Sequence, residues 1–197
     1  MRGLLGLSTS LRPTETFASK LEEELSGSLF TETLLNQKQI SKNRFSILMA
    51  FDAQQESSIT FGGVPDFITS LEGAVSHRVA GNDHWMLKLM DIKVGDKTIQ
   101  PKVRFALTDT GTSLIYFDEL DYKAMIAGIC ADLECFETPY EPNVFAIKNC
   151  EPSHLPDIWV QIDLHEYKLA PQAYVVSLVY PNGSHDCLIQ LRQSKTK

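Results

Sequence analysis

The sequence predicts a mostly β protein with a few short helices. From Phe45 onward, short runs rich in β-branched and aromatic residues are separated by turns that contain Gly, Pro, Asn or Asp, which is the pattern of successive strands. In that part of the chain, residues 120–129 alone place apolar residues convincingly three or four positions apart, as a helix requires. Strands are therefore expected to outweigh helices.

The segment before the strands has a different pattern. Within residues 13–41, Phe17, Leu21 and Leu25 recur at helical spacing among acidic residues, and Ser26-Gly27-Ser28 interrupts the series. This pattern predicts one or two short helices.

Turn residues divide the rest of the chain into hairpins. Gly62-Gly63 ends a first pair of strands, Gly95-Asp96 turns a second pair, and Pro181-Asn182-Gly183 marks a later reversal. The predicted strands are residues 45–51, 58–61 and 85–94, a run containing Ile99 and Val103, and residues 158–162 and 174–180.

Composition limits the classes of function. The chain has 197 residues, 43% of them hydrophobic, which suffices for one sizeable core or for one domain and part of another. Its formal net charge is -7 and no segment concentrates Lys and Arg, so we expect no nucleic-acid partner. No apolar run approaches the roughly 18 residues of a membrane helix, so we expect no membrane span.

The four cysteines all lie in the last third of the chain. They are Cys130, Cys135, Cys150 and Cys187. An even set of this kind indicates two disulfides formed in an oxidising compartment. Zinc is the less favoured alternative, because the one Cys-x4-Cys pair has no matching second pair. The five histidines are scattered without metal-ligand spacing, so we expect no metal.

A modification motif lies on one of the predicted turns. Asn182-Gly183-Ser184 is an N-glycosylation sequon. It fits a secreted protein, but such tripeptides also occur by chance in a chain of this length, so the sequence leaves its use open.

The most informative stretch is Asp109-Thr110-Gly111-Thr112-Ser113, which stands between an apolar approach and an apolar exit. Glycine lets the backbone fold tightly beneath the acid, and the hydroxyls on both sides can hold carboxylate oxygens and neighbouring amides. Such a turn presents an oriented carboxylate to a cleft. A given pentapeptide occurs by chance in roughly one chain in ten thousand of this length, so the motif argues for function.

Two other chemistries fit the sequence poorly. Phosphoryl-transfer motifs led by Asp would read Asp-Lys-Thr-Gly-Thr or Asp-x-Asp-x-Thr, and Asp109-Thr110-Gly111 matches neither. A serine nucleophile elbow needs a second glycine that Gly6-Leu7-Ser8-Thr9-Ser10 lacks.

With its hydrophobic approach, the pentapeptide resembles the second active-site motif of pepsin-like aspartic proteases. Other segments resemble that family in the same order along the chain. They are residues 3–8, 45–48, 59–63, 155–158 and 167–174. The resemblance therefore runs from Gly3 to Cys187, nearly the whole chain.

This resemblance implies a pepsin-like acid protease fold with incomplete double-ψ β-barrel lobes. Residues 1–80 would form the end of an N-terminal lobe and the strands between the lobes. Residues 81–197 would form a C-terminal lobe that carries the Asp109 loop and lacks its last strands. We therefore expect a fragment of a longer protein.

The resemblance also implies roles for single residues. Asp109 would be one of two catalytic carboxylates. The substrate would be contacted by Leu107, Gly111 and Thr112, and the catalytic pair would be supported by Thr110 and Ser113. A disulfide would join Cys150 to Cys187. Cys130 and Cys135 have no counterpart that the resemblance places, and we expect them to bridge each other.

Pepsin-like enzymes hydrolyse peptide or protein substrates at acidic pH without a cofactor. Their mechanism needs two carboxylates, because one accepts a proton from water while the other donates one to the scissile amide. Two carboxyl groups that lie close together cannot both ionise, so the pair shares one proton. This chain has one Asp-Thr-Gly and no Asp-Ser-Gly, so the resemblance implies that it is inactive alone and needs a missing N-terminal lobe.

Two other functions stay open. A non-catalytic relative would bind peptides or a partner without cleaving them, although the intact acid motif argues mildly against this. Two copies of Asp109 could also meet across a two-fold axis, although residues 1–80 resemble the end of a first lobe already joined to the second. The cysteines and the resemblance together imply secretion or delivery to a lysosome or vacuole, with a signal peptide expected upstream of Met1.

Overall fold

The computed structural model of the chain describes residues 5–7, 9, 29–50, 54, 56–68, 70, 72–81 and 84–194. Over these residues the protein is mostly β, which confirms the predicted fold class. The helices are α1 (Phe30–Asn36) and α2 (Glu119–Ile129). The strands are β1 (Phe45–Leu48), β2 (Ser58–Phe61), β3 (Met86–Val94), β4 (Lys97–Ile99), β5 (Phe105–Leu107), β6 (Ile115–Phe117), β7 (Cys135–Glu137), β8 (Phe145–Ile147), β9 (Ile158–Ile162), β10 (His165–Leu169), β11 (Val175–Val179), β12 (His185–Ile189) and β13 (Leu191–Gln193).

The chain divides into two compact units. The first contains residues 1–76 and 81–85, and the second contains residues 77–80 and 86–197. The Asp109 loop belongs to the second unit.

In the first unit, β1 and β2 form the predicted antiparallel hairpin, with Phe45 opposite Phe61. Helix α1 lies against this hairpin, because the rings of Phe30 and Phe61 meet edge-on with 5.2 Å between their centroids. Gly62 ends the hairpin with a φ of 85°, and a Cβ at this position would lie 2.9 Å from the Cβ of Ile40. The turn therefore needs glycine both for its conformation and for the close approach.

Strand β3 organises the second unit. Its first residues pair with β5, and its later residues pair with β4 on one side and β9 on the other. Strand β10 extends this sheet as a hairpin with β9. A separate sheet has the order β11-β12-β8-β7, and β6 pairs in parallel with β13. The strand that leads to Asp109 is thus attached to the longest strand of the unit.

Helix α2 forms where it is predicted, and its N-terminus is capped. The Asp118 carboxylate accepts the N–H groups of Leu120 at 2.8 Å and Asp121 at 2.9 Å, which satisfies two amides that have no partner inside the helix. The apolar face that packs into the core consists of Tyr122, Met125, Ile126 and Ile129. Each such side chain contributes about 2 kcal/mol through burial, so packing is the main stabilising force on the helix.

Glycine allows α2 to approach the sheet closely. A Cβ on Gly128 would lie 3.2 Å from the Cβ of Val94 on β3, a distance tighter than ordinary van der Waals contact. The helix therefore packs directly on the strand that also holds β5.

The four cysteines form two disulfides, as the sequence leads us to expect. One joins Cys130 at the end of α2 to Cys135 at the start of β7. The other joins Cys150, after β8, to Cys187 on β12, and both of its residues are buried.

Some predicted boundaries are wrong. Strand β4 ends at Ile99 and leaves out Val103, because Pro101 has no N–H with which to continue a ladder. The strand predicted over residues 174–180 begins at Val175, since Tyr174 ends a short 3-10 turn. Of the predicted helical segment, residues 30–36 form α1, while residues 13–28 lie outside the described residues. Part of the family-like segment 3–8 lies outside them as well.

Among the described residues, no helix has the length and apolar character needed to cross a bilayer. The same residues contain no group of three or more His, Cys, Asp or Glu side chains placed to hold a metal ion.

Candidate active site

The Asp109 loop joins β5 to β6 and is held at both ends. On the β5 side, Leu107 lies opposite Met86 of β3. On the β6 side, Ile115 lies opposite Leu191 of β13, and the Ile115 N–H donates to the carbonyl oxygen of Gln190 at 3.3 Å. Paired strands thus hold both ends of the loop in place.

Two donors within the loop hold the Asp109 carboxylate. The Gly111 N–H donates to Oδ1 at 2.9 Å, and the Thr112 hydroxyl donates to Oδ2 at 2.7 Å. Both hydrogen bonds favour the charged form of the carboxyl group. The Thr112 hydroxyl foremost, and then the Gly111 amide, lower the pKa of Asp109 below its usual value, against a small opposing effect of desolvation.

The tight turn explains why glycine stands at position 111. A Cβ there would lie 3.1 Å from Oδ1 of Asp109, close enough to disturb the carboxylate. The Thr112 N–H donates to the Asp109 carbonyl oxygen at 3.4 Å, which closes the turn. The backbone therefore wraps around the acid it presents.

Asp109 lines an open cavity of about 530 Å³ in the second unit. Most of the wall is apolar, and Phe105, Leu107 and Tyr116 in it are each at least half exposed, at 50%, 56% and 53%. The charged residues of the wall are Asp109, Asp118 and Asp121. The cavity wall is thus mostly apolar and carries three acidic side chains.

The structure brings several predicted site residues together and leaves others apart. Leu107, Asp109, Thr112 and Ser113 line the cavity. Gly111 contacts the Asp109 carboxylate from within the turn, and Thr110 is exposed. Within the described residues, the hydrogen bonds to that carboxylate come from Gly111 and Thr112 rather than from Thr110 or Ser113. The supporting role of Thr110 and Ser113 therefore stays a prediction.

Asp121 is a residue of the cavity wall that the sequence reading did not single out. It is only 4% exposed, and its carboxylate accepts the Lys102 N–H with both oxygens, at 2.8 and 2.9 Å, and the Val103 N–H at 3.2 Å. These bonds tie the backbone just before β5 to the first turn of α2. A clue in the sequence would have been an acid in a helical turn next to the Asp118 cap.

Replacing Thr112 with Val should raise the pKa of Asp109, because the shape of the side chain is kept while the hydroxyl donor is lost. The wild-type pKa is lowered, so the wild-type carboxylate stays ionised to lower pH than in the variant. The measurement is an NMR titration of the Asp109 carboxyl carbon. Thr112→Ser is the matched control and should titrate like the wild type. Identical titrations of Val and Ser variants would show that the hydroxyl does not set this pKa.

The chain resembles known proteins along its whole length. The family model for eukaryotic aspartyl proteases matches residues 1–197. The chain belongs to this family. Within it, this aspartyl protease chain is 25% identical over 151 residues to pepsin A of Gallus gallus, an alignment that covers 74% of this chain and 37% of the relative.

Two other relatives match this chain at a similar level of identity. An aspartic protease of Phaffia rhodozyma is 29% identical over 166 residues, covering 84% of this chain and 39% of the relative. Cathepsin D of Bos taurus is 26% identical over 150 residues, covering 75% of this chain and 37% of the relative. The matched part of this chain thus spans less than two fifths of the length of each of these relatives.

Proposed function

We propose that the whole protein is an aspartic-type endopeptidase and that Asp109 is one of its two catalytic carboxylates. Family membership supports the reaction class. The observation that carries the proposal is the Asp109 carboxylate, held by two loop donors at the wall of an open apolar cavity. Such a wall offers apolar surface to peptide side chains beside a reactive group.

In the proposed reaction, one carboxylate is ionised and takes a proton from water as the water oxygen attacks the carbonyl carbon of the scissile bond. The other carboxyl group is protonated and donates its proton to the substrate. The hydrogen bonds from Gly111 and Thr112 lower the pKa of Asp109, which suits it to be the ionised member. Activity at acidic pH follows, because the second group has to keep its proton.

The second carboxylate is proposed to come from outside residues 1–197. This chain has no second Asp-Thr-Gly and no Asp-Ser-Gly. Residues 81–197 would supply one half of the catalytic pair, and an N-terminal lobe, to which residues 1–80 would contribute the end, would supply the other. The chain by itself would then be inactive.

Substrate contacts are proposed for three residues of the loop region. Leu107 is 56% exposed in the cavity wall, so it can contact apolar substrate side chains. Gly111 and Thr112 would contact the substrate backbone. Since the Thr112 hydroxyl and N–H both donate to Asp109, the Thr112 carbonyl oxygen is the group left for the substrate.

The two disulfides support a proposal about location. Disulfides form and persist in oxidising compartments, and this chain has two of them. We place the protein outside the cell or in a lysosome or vacuole.

The deciding experiment assays the native full-length protein and residues 1–197 side by side on an apolar peptide at acidic pH. We expect the full-length protein to cleave the peptide and to be inhibited by a transition-state analogue, and the shorter chain to be inactive. Activity of residues 1–197 that rises with the square of concentration would instead indicate a pair of Asp109 residues from two copies. A native protein that binds the peptide without cleaving it would favour a non-catalytic binding function.

A further inference from the structure

The hairpin between β11 and β12 ends in a well-defined three-residue loop. The Tyr180 N–H donates to the Ser184 carbonyl oxygen at 2.8 Å, and the Gly183 N–H donates to the Tyr180 carbonyl oxygen at 2.9 Å. Gly183 has a φ of 82°, the left-handed conformation that such loops need at their last position. Pro181, Asn182 and Gly183 are all exposed, so the loop projects from the second unit.

Asn182 and Ser184 are joined within this loop. Oδ1 of Asn182 accepts the Ser184 N–H at 3.0 Å and the Ser184 hydroxyl at 2.7 Å. Both bonds go to the amide oxygen, so these contacts leave the amide nitrogen, the atom to which an N-linked sugar is attached, uncommitted. Asn182 is also the one asparagine of the chain followed by any residue and then Ser or Thr.

The strand next to the loop is an edge strand in the part of the chain that the structure describes. Within the part of the chain that the structure describes, β11 pairs with β12 alone and forms the end of its sheet. Its sequence, Val-Val-Ser-Leu-Val, contains neither a charge nor a proline, two of the devices that keep edge strands from pairing with other chains. Val176 and Val179 are 49% and 77% exposed, and Tyr180 beyond them is 40% exposed.

We propose that Asn182 carries an N-linked glycan and that this glycan covers the exposed edge of β11. In the transfer, the Asn182 amide nitrogen attacks the first sugar carbon of a lipid-diphosphate-linked oligosaccharide. An N–C bond forms, the C–O bond to the diphosphate breaks, and the amide nitrogen gives up one proton. A large hydrophilic group at the end of the strand then does what a charged residue does on other edges.

The proposal requires the chain to enter the oxidising compartment of the secretory pathway, and in this it rests on the location proposed above. The disulfide at Cys187, three residues beyond Ser184, points to the same compartment. The acceptor capacity of Asn182 itself can be tested separately from the native location and from catalysis.

In the test, the full chain is fused to a secretory leader and translated in vitro in the presence of microsomes. Only chains that have entered the microsomes, and are therefore protected from added protease, are examined. We expect one glycosidase-sensitive mass increase that is lost in Asn182→Gln and Ser184→Ala and kept in Ser184→Thr. Asn36→Gln is the control, because exposed Asn36 is not followed by Ser or Thr at the required position. Protected wild-type chains without the modification would overturn the proposal. Asp109→Asn should be glycosylated like the wild type, so failure of the proposed catalysis and failure of this site are told apart.

A separate experiment tests whether the glycan shields the exposed edge of β11. Asn182→Gln protein secreted from eukaryotic cells should aggregate several-fold more than the wild type at equal concentration, measured by light scattering. Adding Val179→Lys, which places a charge on the edge, should restore solubility. An unglycosylated variant as soluble as the wild type would show that the glycan does not shield β11.

Discussion

Replacing Asp109 with Asn in the whole enzyme should lower kcat/KM for peptide hydrolysis by roughly 10²- to 10⁴-fold, the range that a positioned acid or base contributes. The amide keeps the size of the carboxylate, and it can still accept the Gly111 N–H that now lies 2.9 Å from Oδ1. It cannot take a proton from water. The loss should therefore appear in kcat, while the affinity for an apolar peptide inhibitor changes little.

The matched control removes a different exposed carboxylate. Asp132 is exposed between Cys130 and Cys135 and does not line the cavity. Asp132→Asn should leave kcat/KM within about two-fold, because Asp132 does not line the cavity and exposed surface substitutions usually change stability by less than about 0.5 kcal/mol. An Asp109→Asn enzyme as active as this control would exclude Asp109 from the chemistry. An equal melting temperature for both variants would exclude unfolding as the cause.

The sequence predicted the parts of the fold that depend on neighbours along the chain. Helix α2 was predictable because its apolar spacing is a local property of the chain. The hairpin of β1 and β2 was predictable from two short runs and a glycine pair. The Asp109 loop was predictable because one pentapeptide contains the acid, the tight turn and the donors.

Contacts between distant segments were not predictable in the same way. Strands β6 and β13 have three residues each and are more than 70 residues apart, so neither has enough length for a pattern. In the sequence, Asp121 is an ordinary acidic residue of a helix. Its partners, the N–H groups of Lys102 and Val103, come close to it only when the segment before β5 folds against α2.

His77 is a second example of a residue whose partners could not be predicted from the sequence. In the sequence, His77 is one of five scattered histidines, and nothing near it along the chain indicates a partner. In the second unit its ring lies between two groups, with Nδ1 at 2.9 Å from Oδ2 of Asp163 and Nε2 at 2.5 Å from the hydroxyl of Tyr167. These partners follow His77 by 86 and 90 residues, so the β9–β10 hairpin has to form before the network exists.

Within the Asp109 loop, the sequence suggested that hydroxyls on both sides of Gly111 could hold the carboxylate oxygens of Asp109. The structure uses one of them, since Thr112 donates to the carboxylate, whereas Thr110 is exposed and is not a donor in the hydrogen bonds described for that carboxylate. Side-chain choice between two equivalent hydroxyls depends on backbone geometry, which residue types alone do not specify.

Removing the Cys150–Cys187 disulfide should destabilise the second unit by about 4 kcal/mol, and removing Cys130–Cys135 should cost about 2 kcal/mol, from the loop-closure entropy of the unfolded chain. The difference follows from the sequence separations, which are 37 and 5 residues. The longer link also connects β12 to the end of β8, and both of its cysteines are in the buried core. A cross-link of this length restricts the unfolded chain far more than the short one.

The measurement compares Cys150→Ala/Cys187→Ala with Cys130→Ala/Cys135→Ala by urea unfolding in a Trp85→Phe background. The chain has two tryptophans, and Trp85 belongs to the first unit, so the fluorescence of Trp159 on β9 then reports the second unit alone. The short-loop pair is the internal control, because it removes the same number of sulfur atoms. Equal losses of unfolding free energy, or a greater loss for the short loop, would contradict the entropic argument. In that case native-state packing around Cys130 and Cys135, rather than loop length, would determine how much each disulfide stabilises the unit.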